Sequence, residues 1–137
     1  MEELSVKTSK TILVADDESI VRALITNFLN KLGYQVETAE DGGSALERFR
    51  AMKPAPKVIV TDIVMPVMDG IALVKELRKE HPELCVLFIS SHESEKFEDF
   101  DLTKSINSFL SKPFSLRDFA SSISELAEYA ESLVEGA

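Results

Sequence analysis

A chain of 137 residues with fifteen basic and twenty-four acidic side chains, net charge −9 with the histidines neutral, has the wrong sign for tracking a phosphate backbone, so direct nucleic-acid binding is not expected. Its single cysteine, Cys85, cannot form an internal disulfide and sits in an apolar run, where it reads as a small buried hydrophobe of a reducing compartment. No apolar run approaches the roughly 20 residues of a membrane span, and MEELSVKTSK lacks the apolar stretch of a signal peptide, so a cytoplasmic protein without membrane partners is expected.

Residues 1–10 are polar and patternless and read as a flexible N-terminal tail. TILVA at 11–15 reads as the first strand. Ile20, Val21, Leu24, Ile25, Phe28, Leu29 and Leu32 then repeat at three and four, the pattern of a one-sided helix capped by Gly33. Gln35 to Ala39 predicts a short second strand, Asp41-Gly42-Gly43 a turn, and Ser44 to Met52 a second helix ending before the Pro-Ala-Pro breaker. The third strand, VIV at 58–60, runs into Asp62. The loop IVMPVMDG leads to a helix with Ile71, Val74 and Leu77 on one face, stopped near His81-Pro82. CVLFI at 85–89 is the fourth strand. After Ser90 only Phe97 and Phe100 punctuate an acidic, cap-favouring segment, which predicts a short fourth helix, the most mobile ordered part between about His92 and Lys104. SFL at 108–110 is the fifth strand. Ser115 and Asp118 resemble a capping box opening a last helix through Phe119, Ile123, Leu126, Ala130 and Leu133.

Five strands, four of them apolar runs and the second a short alternating one, alternate with five helices and specify a doubly wound α/β domain, a (βα)5 parallel sheet with right-handed crossovers and preferred strand order 2-1-3-4-5. That order places strands one and three at the topological switch point, where ligands bind at the carboxyl ends of the strands. Asp16, Asp17, Asp62, Ser90 and Lys112 all fall at such ends, although scattered over the sequence.

Three neighbouring carboxylates repel and invite a cation, and Mg2+ fits best as a hard ion that takes a few carboxylate oxygens and leaves room for phosphate. Asp62 suits the nucleophile in an in-line attack on phosphorus. Asp16 and Asp17 suit the metal, Lys112 a phosphoryl oxygen, and Ser90 a hydroxyl hydrogen bond to another. Each residue has a simpler reading: Asp16 or Asp17 as a helix cap, Asp62 as a turn residue, Ser90 as a loop hydroxyl, Lys112 as a surface lysine. The coincidence of four strand ends with four complementary chemistries favours an aspartyl-phosphate site.

ILVADDE, VTDIVMPVMDG, VLFISS and FLSKPF resemble, in order and spacing, the receiver domain of two-component response regulators, over roughly residues 10–134. The resemblance implies a flavodoxin-like receiver domain at 11–134 with residues 135–137 as its C-terminal end and no output domain. Asp62 would accept a phosphoryl group from a histidine kinase or histidine phosphotransfer protein. Asp17 would ligate Mg2+ directly, Asp16 through water, and the main-chain carbonyl of Val64 would complete the protein ligands. Ser90 and Phe109 would switch on phosphorylation, and the Lys112–Pro113 bond would be cis. A downstream protein or a second copy would dock on the face of the fourth helix, fifth strand and fifth helix.

By the same resemblance the chain is a signalling phosphoacceptor that assists its own phosphotransfer and dephosphorylation, and not an enzyme in the ordinary sense. Two departures fall on the relaying face: Ser105-Ile106 where Gly-Ala is common, and Glu98-Asp99 where apolar residues are common. Other readings are a receiver excised from a hybrid kinase or longer regulator, a non-phosphorylated pseudo-receiver scaffold, an aspartyl-phosphate hydrolase and an FMN carrier. The hydrolase lacks its second Asp because Val64 stands there, and the FMN carrier would need Ser/Thr where the chain has DDES.

Overall fold

The computed structural model describes residues 10–91, 104 and 106–135. Five strands, β1 (Thr11–Ala15), β2 (Gln35–Ala39), β3 (Val58–Asp62), β4 (Cys85–Ser90) and β5 (Asn107–Ser111), form one sheet in the order β2-β1-β3-β4-β5. Every adjacent pair is parallel, as the apolar runs require. The helices are α1 (Ser19–Lys31), α2 (Gly42–Ala51), α3 (Gly70–Arg78) and α4 (Leu116–Glu135), the last being the helix predicted to end the chain. Among the described residues no helix is long and apolar enough to cross a membrane. The segment from His92 to Lys104, for which a fourth helix and high mobility were expected, lies outside the described residues except for Lys104 itself.

Alternation along the strands builds two cores from one sheet. Leu13, Ile59, Val86 and Phe88 face one way, packing with Ala45 and Phe49 of α2 and Leu73, Val74 and Leu77 of α3. Their neighbours Ile12, Val14, Val58, Val60, Cys85, Leu87 and Ile89 face the other way, against Ile25 and Leu29 of α1 and Phe119, Ile123 and Leu126 of α4. β3 and β4 are buried along their whole length, which is why their sequences carry no polar face. Cys85 lies in the second core with no exposure, and burial pushes its thiol up to about 11.

Three local details differ from the sequence reading. The apolar stripe of α1 is wider than its buried face: Ile25 and Leu29 are buried, while Ile20 is 82% exposed and Leu24 and Leu32 are also exposed. The Asp41-Gly42-Gly43 turn is the start of α2, because Asp41 caps it by accepting the Ser44 amide and hydroxyl on Oδ1 at 2.7 and 2.8 Å. A second cis bond, Lys53–Pro54, accompanies the expected one at Lys112–Pro113. Gly33, with φ +96°, lies just beyond α1 as predicted. Ser115 Oγ accepts the Asp118 amide at 3.0 Å at the head of α4.

At the base of the sheet, Arg78 reaches under β4 and donates to the Leu84 carbonyl at 2.8 Å and to that of Ile106 at 3.2 Å. Burial lowers its pKa from the ordinary arginine value. The guanidinium therefore ties the end of α3 to the start of β5, where Ile106 packs its side chain against the α1/α4 core.

Candidate functional site

Strand register brings the five candidate residues to one edge. Ala15 pairs with Thr61, so Asp16 continues β1 beside Asp62 at the end of β3. Asp62 pairs with Ile89, which sets Ser90 one position further along β4, and Ser90 pairs with Ser111, which sets Lys112 one position beyond β5. Main-chain bonds continue the ladder past the strands: Asp16 N–H to Ala39 O at 3.1 Å, Ile63 N–H to Ile89 O at 3.1 Å and Lys112 N–H to Ser90 O at 2.8 Å.

Asp16, Asp17 and Asp62 each offer a carboxylate oxygen, and the three lie within 4.8 Å of one another. Asp16 has no exposure, Asp62 is 6% exposed and Asp17 faces solvent. The Asp16 Oδ1 accepts the Glu18 amide at 2.9 Å. Its Oδ2 lies 3.1 Å from Lys112 Nζ, an ion pair whose angle falls short of a well-formed hydrogen bond. Burial raises the Asp16 pKa, with Asp62 adding to the rise, and the Glu18 amide and Lys112 only partly oppose it.

Asp62 Oδ1 accepts the Val64 amide at 3.3 Å and Oδ2 accepts from Lys112 Nζ at 3.1 Å. Burial alone would lower the Lys112 pKa. Hydrogen bonds to Glu18 and Asp62 and the charges of Asp16 and Asp62 outweigh it and hold the ammonium above its ordinary value.

Asp16, Glu18 and Asp62 thus share Lys112 as their ammonium partner. A buried carboxylate oxygen without a hydrogen bond, next to two more hard oxygens, has the donor chemistry of a divalent-cation site. Magnesium fits such a set better than calcium, which takes more protein oxygens.

The rest of the edge is held by packing. Ser90 is 3% exposed at the end of β4. Phe109, paired with Phe88, is half-buried against the α2/α3 core. Val64 is 65% exposed, two residues past Asp62. Beyond the cis Lys112–Pro113 bond, Phe114 stacks on Phe119 at 5.6 Å and meets Phe28 edge-on at 6.5 Å. Each such pair contributes roughly 0.5–1.5 kcal/mol beyond area burial, which anchors the segment carrying Lys112.

Neither Asp16 nor Asp17 caps α1. The N-cap is Glu18, whose side chain makes no capping bond and reaches Lys112 instead, with Oε1 2.9 Å from Nζ. Arg22 donates to the Asp16 carbonyl at 2.7 Å, fixing the start of α1 on the end of β1. Gly70 supports Asp62 from behind: a Cβ there would collide with the Asp62 carbonyl oxygen. Sequence reasoning passed over all three. Only Glu18 left a signal, being a residue outside the favoured N-cap set directly before a helix.

The response regulator receiver domain family model matches residues 12–124. The sensor kinase CckA of Brucella abortus is 37% identical over 120 residues, covering 88% of this chain and 13% of that protein. The response regulator receiver protein CpdR of the same organism is 36% identical over 118 residues, covering 85% of this chain and 96% of CpdR. The structure of a CheY-like receiver domain protein from Methanospirillum hungatei superposes with a TM-score of 0.81 at 25% identity, covering 91% of this chain and 98% of that one. The chain therefore spans a small part of one curated relative and nearly the whole of another.

Proposed function

The chain belongs to the response regulator receiver family of two-component signalling, and on that premise we propose that Asp62 accepts a phosphoryl group from a phosphohistidine of a histidine kinase or phosphotransfer protein. One observation carries the reading: three carboxylates converge within 4.8 Å while Lys112 Nζ stands 3.1 Å from Asp62 Oδ2. Such a constellation holds a nucleophile, a cation site and a counter-charge for phosphoryl oxygens in one place.

In the proposed transfer an Asp62 carboxylate oxygen forms a bond to phosphorus in line with the breaking P–N bond of the donor, whose electron pair leaves with the imidazole. Asp16, Asp17, Asp62 and the Val64 carbonyl would hold Mg2+, which supplies positive charge against the phosphoryl oxygens. Lys112 neutralises a further oxygen, and the Ser90 hydroxyl donates to another. The Val64 amide keeps Asp62 oriented. Ser90 and Phe109 then relay the modification by favouring one of two local arrangements. Output would pass by protein contact to a downstream target or a second copy across β5 and α4, together with the segment outside the described residues.

Removing the metal tests this reading. Acetyl phosphate with magnesium is expected to add the mass of one phosphoryl group to the intact protein, and chelation with EDTA to reduce the gain to background. Labelling indifferent to EDTA would overturn the metal assignment, and no labelling in either case would favour the pseudo-receiver.

A further inference from the structure

Glu18 is the acid at this edge for which the proposed transfer has no use. It ends the loop before α1 without capping the helix, and its side chain is 58% exposed. Even so, its Oε1 lies nearer Lys112 Nζ, at 2.9 Å, than does Asp62 Oδ2 at 3.1 Å. An ammonium has three protons to give. Glu18 and Asp62 each take one, and Asp16 Oδ2 crowds the remaining side of the same Nζ at 3.1 Å. A phosphoryl group arriving on Asp62 therefore meets a lysine already engaged by a carboxylate at the mouth of the site.

We propose that Glu18 is a positioning residue that competes with the phosphoryl group for Lys112. It holds the ammonium at the pocket mouth in the unphosphorylated state and gives it up when the phosphoryl anion forms on Asp62. This inference rests on the phosphoacceptor reading. Its charge acts in opposite directions on the two ligands of the site. A fourth carboxylate beside Asp16, Asp17 and Asp62 strengthens the hold on a divalent cation, whereas the same carboxylate repels an anionic phosphoryl group and occupies its lysine. A unit charge about 5 Å away in a water-like dielectric changes the binding constant of a monovalent ion about threefold to fourfold and that of a divalent ion about tenfold or more, and salt reduces both changes.

Calorimetric titration of wild type, Glu18→Gln and Glu18→Ala with magnesium alone, and then with beryllofluoride at saturating magnesium, reads both effects. Both variants are expected to bind divalent magnesium about tenfold more weakly and monoanionic beryllofluoride about threefold more tightly, with both differences shrinking in high salt. A generally loosened site would weaken both ligands together, so the opposed signs separate positioning from structural damage. Variants that match wild type for both ligands, or weaken both, would overturn the inference while leaving the phosphoacceptor reading standing. A wild type that binds magnesium and no beryllofluoride would overturn that reading and the inference with it.

Discussion

Replacing Asp62 by asparagine is expected to reduce phosphoryl labelling by acetyl phosphate to background while leaving the thermal unfolding transition in place. The amide oxygen of asparagine is a poor nucleophile, so no P–O bond forms at this position. The fold is not expected to suffer, because the single amide oxygen can still accept from Lys112, and only the long 3.3 Å bond from the Val64 amide is given up. The substitution also removes one of the carboxylates crowded around Lys112. Intact-protein mass after incubation with acetyl phosphate and magnesium, paired with thermal melting, checks both halves. Undiminished labelling of a folded Asp62→Asn protein would place the acceptor elsewhere.

Gly70→Ala should injure fold and site together. A Cβ at Gly70 would collide with the Asp62 carbonyl oxygen and lie 3.1 Å from both the Asp62 carbonyl carbon and Thr61 Oγ1. The obstruction is main chain at the end of a fully buried strand, so nothing flexible can move aside. Gly70 is also pinned from the other side, its amide donating to the Ile63 carbonyl at 2.8 Å. Overpacking of this kind costs about 1–3 kcal/mol and at times more, and relief has to come from shifting the backbone of Asp62.

Lowered urea stability and slowed phosphorylation are therefore expected together. Gly33→Ala is the control: it meets nothing within 4 Å and carries only the positive-φ strain of about 1–2 kcal/mol, with labelling unchanged. If Gly70→Ala labels as fast as Gly33→Ala, the close approach to Asp62 does not set the acceptor's position.

What the residues revealed in advance follows from which forces are local. Continuous apolar runs forecast β3 and β4 because both faces are covered, and the place of Asp62 and Ser90 at their ends followed at once. The strand order was legible because parallel strands joined by helices admit few arrangements. Periodicity overstated the buried face of α1, since it marks Ile20 and Leu24 as apolar without saying how far the sheet extends beneath them. The start of α2 was missed because two glycines read as a turn until the Asp41 cap is seen to organise them.

Glu18 and Gly70 were hidden for a different reason. The meaning of each lies in a long-range approach, to Lys112 across 94 positions and to the Asp62 backbone, that no local pattern encodes. The departures at Glu98, Asp99 and Ser105 and the expected docking face depend on residues outside those described, so they stand as expectations from the sequence.

The central claim is that one carboxylate, that of Asp62, carries the phosphoryl group. Borohydride reduction traps it directly, because an aspartyl phosphate is reduced to homoserine while a free carboxylate is untouched. Protein treated with acetyl phosphate and magnesium, then borohydride, then digested and mapped by tandem mass spectrometry, is predicted to show homoserine at position 62 with Asp16 and Asp17 intact. Homoserine at position 16 or 17, or a phosphoryl group that survives on a serine or histidine with Asp62 unmodified, would contradict the account.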